Sequence, residues 1–265
     1  MTDQGSSAVS AISPSRGVAR IGAIVPVSNT NFEPDMVMLR PAGVSLHFMR
    51  AGGYDLDAVP DSDQMRKFAD ASLEPTLAAL AAAQPDVVLY GCTSATLSHG
   101  PQYDTAFQAR IAALAGVPAI TAAGALVEAL VDLGVRRVGF CSPYTEQLNR
   151  EAADYLNAAG FDVVHTTYVG TDLGNYGQGA LIPDEVFALG RRADHADAEA
   201  VVLSCTDMRA VEIIDRLEDA LGKPVVTSNQ ATMHAAIKRL GLPDRVPGGL
   251  GRETIATSRE AAAIS

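Results

Sequence analysis

A short stretch of this chain occurs twice. Asp86-Val-Val-Leu-Tyr-Gly-Cys92-Thr93 is echoed by Ala200-Val-Val-Leu-Ser-Cys205-Thr206. Further on, Gly116-Val-Pro-Ala-Ile-Thr121 is matched by Gly222-Lys-Pro-Val-Val-Thr227, and each copy runs through small residues into a helix ending in Leu-Gly. Such self-similarity calls for two related lobes with a pseudo-two-fold relation, and it puts two cysteines at equivalent strand ends. Ligands of open α/β sheets bind beyond the carboxyl ends of the strands. The repeat therefore predicts two thiols facing one another across a cleft between lobes.

The rest of the pattern agrees. Short Val/Ile-rich runs suited to burial on both faces mark strands at 20–27, 44–49, 86–90, 117–121, 137–141, 162–168, 200–204 and 224–227. Between them, apolar residues at three- and four-residue steps mark helices at 62–83, 122–133, 144–159, 183–193, 209–221 and 232–240. Gly134, Gly160, Gly222 and Gly241 fall just past helix ends, where a left-handed residue is wanted. Alternation of this kind gives mostly parallel sheets flanked by helices, an α/β fold. The expected division is a loose tail over 1–18, an N-terminal lobe over 19–120 completed by about 228–252, and a C-terminal lobe over 121–227.

Of 265 residues, 48% are hydrophobic and 19% charged, which fits a chain with a substantial core. The net charge of −11 and the absence of a Lys/Arg block speak against nucleic acid or an anionic membrane as partner. No apolar run reaches the length of a membrane span. The first 18 residues have neither a basic start nor a continuous apolar stretch, so they do not read as a secretion signal. Three cysteines make neither a disulfide framework nor zinc-type spacing. The expected compartment is the reducing cytoplasm.

Cys92 stands where a strand turns into a helix. Backbone N–H groups and the helix N-terminus would favour its thiolate and lower its pKa. A lone cysteine is more often merely buried; a second at the matching place, with threonine after both, points to a functional pair. Cys141 has no counterpart in the repeat and reads as structural. The first strand ends in a polar loop, Ser28-Asn29-Thr30-Asn31, whose amides and hydroxyls could hold a carboxylate without adding charge. Tyr144, after Ser142-Pro143, could reach a ligand or simply begin a helix. The glycine-rich run from Gly170 to Gly179 lacks the P-loop Lys-Ser/Thr and reads as a lid carrying Asn175. The histidines form no metal constellation. Asp207 and Arg209 could tune the second thiol or pair at the surface. No cofactor is expected.

These residues resemble the aspartate/glutamate racemase superfamily and, within it, the maleate cis–trans isomerases. The resemblance covers nearly all of 19–250. It rests on Ile24-Val-Pro-Val-Ser-Asn29-Thr30, Gly91-Cys92-Thr93, the Ala123–Leu130 segment, Pro143-Tyr144, Val201-Val-Leu-Ser-Cys205 and Lys223-Pro-Val-Val-Thr227. It implies two catalytic cysteines, Cys92 and Cys205. Asn29, Tyr144 and Asn175 would surround a small dicarboxylate, with Thr93, Ser94 and Thr206 as further binding positions. A homodimer or higher homo-oligomer is also implied. Val27 departs from the small polar residue expected beside Ser28. Related arylmalonate decarboxylases carry glycine at the first cysteine position, so Cys92 argues against that activity.

The implied chemistry is conversion of maleate, or a related cis-dicarboxylate, to fumarate. Cys92 would add to the alkene, the resulting single bond would rotate, and Cys205 would handle the proton. The alternatives are cofactor-independent racemisation by the two thiols and a non-catalytic two-lobed binding module.

Overall fold

The computed structural model describes residues 17–57, 61–71, 73–243 and 245–252. The expected tail lies outside these residues except for its last two positions. The chain forms β1 (Ala19–Pro26), α1 (Phe32–Leu39), β2 (Val44–Ala51), α2 (Ser62–Ala71), α3 (Leu73–Ala81), β3 (Val87–Tyr90), α4 (Thr93–Leu97) and α5 (Pro101–Ala115). It continues through β4 (Ala119–Thr121), α6 (Ala122–Asp132), β5 (Arg137–Ser142), α7 (Glu146–Ala158), β6 (Asp162–Tyr168), α8 (Gly174–Ala180) and α9 (Pro183–Arg192). Then come β7 (Ala200–Leu203), a 3-10 turn (Val211–Ile213), α10 (Ile214–Leu221), β8 (Val225–Thr227) and α11 (Ser228–Leu240).

The strands make two parallel four-stranded sheets in the same order, β2-β1-β3-β4 and β6-β5-β7-β8. Equivalence extends to single residues. Val88 pairs with Ala119 in the first sheet, and Val201 with Val225 in the second; each stands four positions before its cysteine. The true correspondence therefore counts back from Cys92 and Cys205, so that Tyr90 matches Leu203, Gly91 matches Ser204 and the two turns have equal length. On that register Gly22 and Gly139 are equivalent too, opposite Val88 and Val201. A Cβ on Gly139 would lie 2.0 Å from the Ala193 carbonyl oxygen. Bare backbone there lets the end of α9 come down onto the sheet.

All eight expected strands form, with ends shifted by a few residues. The threonines closing the repeat cap the next helix: Thr121 Oγ accepts from Gly124 N at 3.1 Å and Thr227 Oγ from Gln230 N at 3.2 Å. Capping explains why α11 starts at Ser228, four residues earlier than its apolar spacing suggests. The four glycines past helix ends are all left-handed, with φ between 63° and 98°. The helix expected over 62–83 is two helices. Helices α1, α5 and α8 were not expected: in α5 only Asp104, Phe107 and Ile111 are buried, too sparse a stripe to show as periodicity.

Helices α6 and α11 pack on one another, and both touch strands of each sheet, so the pair lies between the lobes. Four contacts pin it: Lys238 to Glu128 and Asp132, Arg239 to Glu128, and His234 to Asp132. A single apolar cluster runs through this junction into both sheets, and a second lies under the other face of the first sheet. Among the described residues no helix is long and apolar enough to cross a membrane.

Candidate active site

Strand β3 ends at Tyr90, and two residues later Cys92 caps α4 from an extended conformation. Its sulfur faces the Ser94 hydroxyl at 3.7 Å and the backbone N–H groups of Ser94 and Ala95. Strand β7 ends at Leu203, and Cys205 follows. Its thiol donates to Gln178 Oε1 at 3.3 Å and accepts from Asp207 N at 3.3 Å. Both cysteines line one cavity of about 40 Å³. That is room for a few waters, so the ligand is small. Cys141 lies inside its sheet, wholly buried, and does not line the cavity.

The first-strand loop closes the cavity by crossing to the other lobe. Asn29 Oδ1 accepts from Asn31 N at 3.1 Å and Phe32 N at 2.9 Å, while its Nδ2 donates to Thr206 Oγ1 at 3.0 Å. Thr206 Oγ1 then donates to the Gly91 carbonyl at 2.9 Å. One chain of hydrogen bonds thus fixes both cysteine turns and the loop against one another. At Gly91 a Cβ would meet the Phe32 ring at 3.0 Å and the Ile24 carbonyl oxygen at 3.1 Å, so a larger residue there needs its neighbours to give way. Asp207 braces the same loop: Oδ1 accepts from Thr30 N at 2.7 Å, Asn31 N at 3.0 Å and Asn31 Nδ2 at 3.1 Å. Thr93 Oγ1 donates to Ser228 at the start of α11, 3.0 Å away.

The eight catalytic and binding positions inferred from the resemblance, Cys92, Cys205, Asn29, Tyr144, Asn175, Thr93, Ser94 and Thr206, line this cavity, whereas Thr30 and Asn31 of the polar loop do not. Tyr144 is buried, with its hydroxyl 3.5 Å from Ser204 Oγ. Asn175, buried on α8, donates to the carbonyls of Asp55 and Leu56 at 3.3 and 2.9 Å, tying α8 to the loop after β2. The glycine-rich segment is therefore helical over Gly174–Ala180 and seated on the cleft. Arg209 turns away and pairs with Glu212, whereas Asp207 stays in the wall. Tyr54, Phe68 and Gln178 also line it, as do Pro26, Ser28, Met65 and Leu148. Nothing in the sequence flags Tyr54 or Phe68, which arrive from β2–α2 and its flank. Gln178 sits beside the singled-out Asn175.

Thiol acidity is the point at which the sequence-based expectation fails. Burial raises the Cys92 pKa to about 11, despite the hydroxyl and backbone donors that lower it. Burial, then the Asp207 carboxylate, with the facing Cys92 also contributing, pushes the Cys205 thiol up as well. Tyr144 is pushed up by burial and by Cys205. Burial thus favours the neutral thiol at both cysteines. Asp207 itself is raised by burial to about 6. No group of three or more His, Cys, Asp or Glu side chains among the described residues could hold a metal ion.

The sequence pattern of the arylmalonate decarboxylase family matches residues 21–252. The chain is 30% identical to a maleate isomerase of Alcaligenes faecalis over 237 residues, 86% of this chain and 93% of that protein. It is 28% identical to an arylmalonate decarboxylase of Bordetella bronchiseptica over 234 residues, 86% of this chain and 90% of the other. In three dimensions it is similar to a cysteine-to-serine variant of the Nocardia farcinica maleate cis–trans isomerase that carries a covalently bound succinylcysteine intermediate. That likeness has a TM-score of 0.81 at 28% identity, over 89% of this chain and 98% of that one.

Proposed function

Since the chain belongs to the arylmalonate decarboxylase and maleate isomerase family of the Asp/Glu racemase superfamily, we propose that it isomerises maleate, or a closely related small cis-alkene acid, to the trans form. The observation that carries this reading is the pair of thiols, one from each lobe, on the walls of a single cavity with room for a few atoms. Two sulfurs so placed can act on adjacent carbons of one ligand.

The step follows from the bond that must be weakened. Rotation about C=C is blocked until its π component is lost. Cys92, as thiolate, forms a C–S bond to one alkene carbon, and the π electrons move towards the carboxylate beyond the other, giving an enediolate. Tyr144 and the amide of Asn29 stand on the cavity wall as donors for that charge. The Cys205 thiol passes its proton to the carbanionic carbon, leaving a succinyl thioether free to rotate. Cys205 then takes the proton back, and the C–S bond breaks with its electron pair returning to Cys92. The succinylcysteine held by the Nocardia relative is the species this sequence passes through.

The Cys92 proton must leave to bulk water before attack, since Cys205 keeps its own for the carbon. The Ser94 hydroxyl and the Ser94 and Ala95 N–H groups stabilise the anion that forms. Burial works against it. A dry cleft also keeps water from the adduct.

A second reading, decarboxylation at the same site, is favoured by the family pattern itself, and racemisation by the two thiols is the other alternative. Proton NMR of the protein with maleate in D₂O separates the readings. The isomerase produces the fumarate singlet, and Cys92→Ala produces none. Absence of that signal, with α-deuteration of a chiral acid or CO₂ release from a malonate instead, overturns the proposal.

A further inference from the structure

The repeat makes the two cysteine turns nearly interchangeable. A reaction in which one thiol attacks and the other holds a proton needs something to tell them apart. Counted from the cysteines, Thr93 matches Thr206 and Ser94 matches Asp207. Each sulfur receives the backbone N–H two residues on, from Ser94 at Cys92 and from Asp207 at Cys205. The turns differ in what else they offer. Cys92 faces the Ser94 hydroxyl and a further N–H, that of Ala95, both of which favour an anion. Cys205 has the Asp207 carboxylate in place of that hydroxyl, and its thiol donates to the Gln178 side-chain carbonyl at 3.3 Å. Among the described residues Cys92 has no such carbonyl acceptor.

Gln178 is brought to the sulfur by α8, which is pinned on both sides of it. Asn175, one turn earlier, is tied to the Asp55 and Leu56 carbonyls. Gly179, the next residue, accepts from Asn31 Nδ2 at 3.1 Å and lies against Asp207, where a Cβ would come within 2.8 Å of Oδ2. Bare backbone at 179 thus lets α8 sit close enough for Gln178 to reach the cavity wall. The orientation of its amide follows from the sulfur. Cys205 Sγ already accepts the Asp207 N–H and carries its own hydrogen, so its remaining partner has to accept, which selects the amide oxygen. A hydrogen bond made to the neutral form of an acid favours that form.

We propose that Gln178 is a positioning residue that sets the polarity of the thiol pair. By holding the Cys205 hydrogen on its side-chain carbonyl, it makes Cys205 the thiol that keeps its proton and leaves Cys92 as the one that becomes thiolate. The consequence for turnover rests on the isomerase reading; the difference in thiol reactivity does not. During turnover the Cys205 proton moves to the carbanionic carbon, and the sulfur keeps the electron pair of the broken S–H bond. The Gln178 carbonyl then faces an anion. That repulsion favours return of the proton to sulfur as the C–S bond at Cys92 breaks. Asp207 acts in the same sense through its charge, and the Ser94 hydroxyl in the opposite sense at Cys92.

The test is alkylation of the full chain by iodoacetamide, a neutral reagent that reads thiolate, with the Cys92 and Cys205 peptides quantified by mass spectrometry. In the wild type Cys92 is expected to label faster than Cys205. Gln178→Met keeps the length of the side chain and removes the acceptor. A roughly ten-fold gain in thiolate comes with about a three-fold loss of nucleophilicity, so the Cys205-to-Cys92 labelling ratio is expected to rise about three-fold. Gln178→Glu keeps an acceptor, and its ratio is expected to stay at or below that of the wild type. With maleate, Gln178→Met is expected to lose kcat about ten-fold while KM stays within about two-fold. Faster labelling of Cys205 in the wild type overturns the proposal. So does a ratio unmoved in Gln178→Met, or one raised as much in Gln178→Glu, which marks lost fit rather than a lost acceptor. The wild-type order and Gln178→Glu decide by themselves if Gln178→Met does not fold. The expected labelling without fumarate formation from maleate supports the thiol polarity while sinking the isomerase reading. Fumarate formation with the ratio unmoved does the reverse.

Discussion

Asn29 shows how much one side chain can carry here. Its Oδ1 satisfies two backbone N–H groups at the start of α1, and its Nδ2 reaches Thr206 in the other lobe. It is 3% exposed, so none of these groups falls back on water. Two substitutions separate its structural role from its role as donor. Asn29→Ala orphans Phe32 N, while Asn31 N keeps Asp207 and Thr206 keeps Gly91, and it is expected to lose roughly 1–3 kcal/mol of stability along with activity. Asn29→Asp keeps an acceptor for Asn31 N and Phe32 N but removes the amide donor and adds charge to the cavity. It is expected to hold most of its thermal stability while kcat/KM falls about 100-fold or more. Thermal melts and steady-state kinetics on the pair check this; an Asn29→Asp protein with near-wild-type turnover would show that Asn29 donates nothing to the reacting anion. The identity of this residue was legible from sequence, because four polar residues at a strand end exceed what a helix cap needs. Its link to Thr206 was not, since 177 positions separate the two. Thiol acidity was misread for a related reason. Sequence shows the helix start beside Cys92, but only the fold shows the burial that outweighs it.

At the scale of elements, the repeat is carried by register as much as by residue identity. Gly22 and Gly139 occupy equivalent places, yet their neighbours differ. A Cβ at Gly22 meets the Leu80 and Pro85 side chains at 3.1 Å, whereas one at Gly139 meets backbone, the Ala193 carbonyl, at 2.0 Å. Side-chain atoms can give by a few tenths of an ångström; the end of α9 cannot move without lifting off β5. Gly139→Ala is therefore expected to cost about 3 kcal/mol or more, and Gly22→Ala roughly 1 kcal/mol, in urea denaturation. Equal costs would mean that α9 moves as freely as a leucine side chain. Strands were the most legible elements, since a fully buried parallel strand is a continuous β-branched run. Helix α8 was the least legible: Gly-Asn-Tyr-Gly-Gln-Gly has poor helix propensity, and the segment is helical where Asn175 anchors it to the loop after β2.

Taken as a whole, the molecule places two copies of one strand–turn–helix unit so that their cysteine turns share a pocket. The bonds from Asn29 to Thr206, Asp207 to Thr30 and Thr93 to Ser228, with the α6–α11 junction, hold that juxtaposition. The two-sheet architecture and the meeting of the cysteines were both readable from the repeat. The charge balance of the pocket was not, because it depends on which way Asp207 and Arg209 turn. The central claim is that Cys92 attacks while Cys205 manages the proton. Its most direct test is peptide mass mapping of Cys205→Ser after incubation with maleate. The account predicts a mass increase of one substrate, confined to the peptide bearing Cys92 and absent when Cys92 is also replaced. A covalent adduct on Cys141 or on any other residue, or none in a variant that still isomerises, would contradict it.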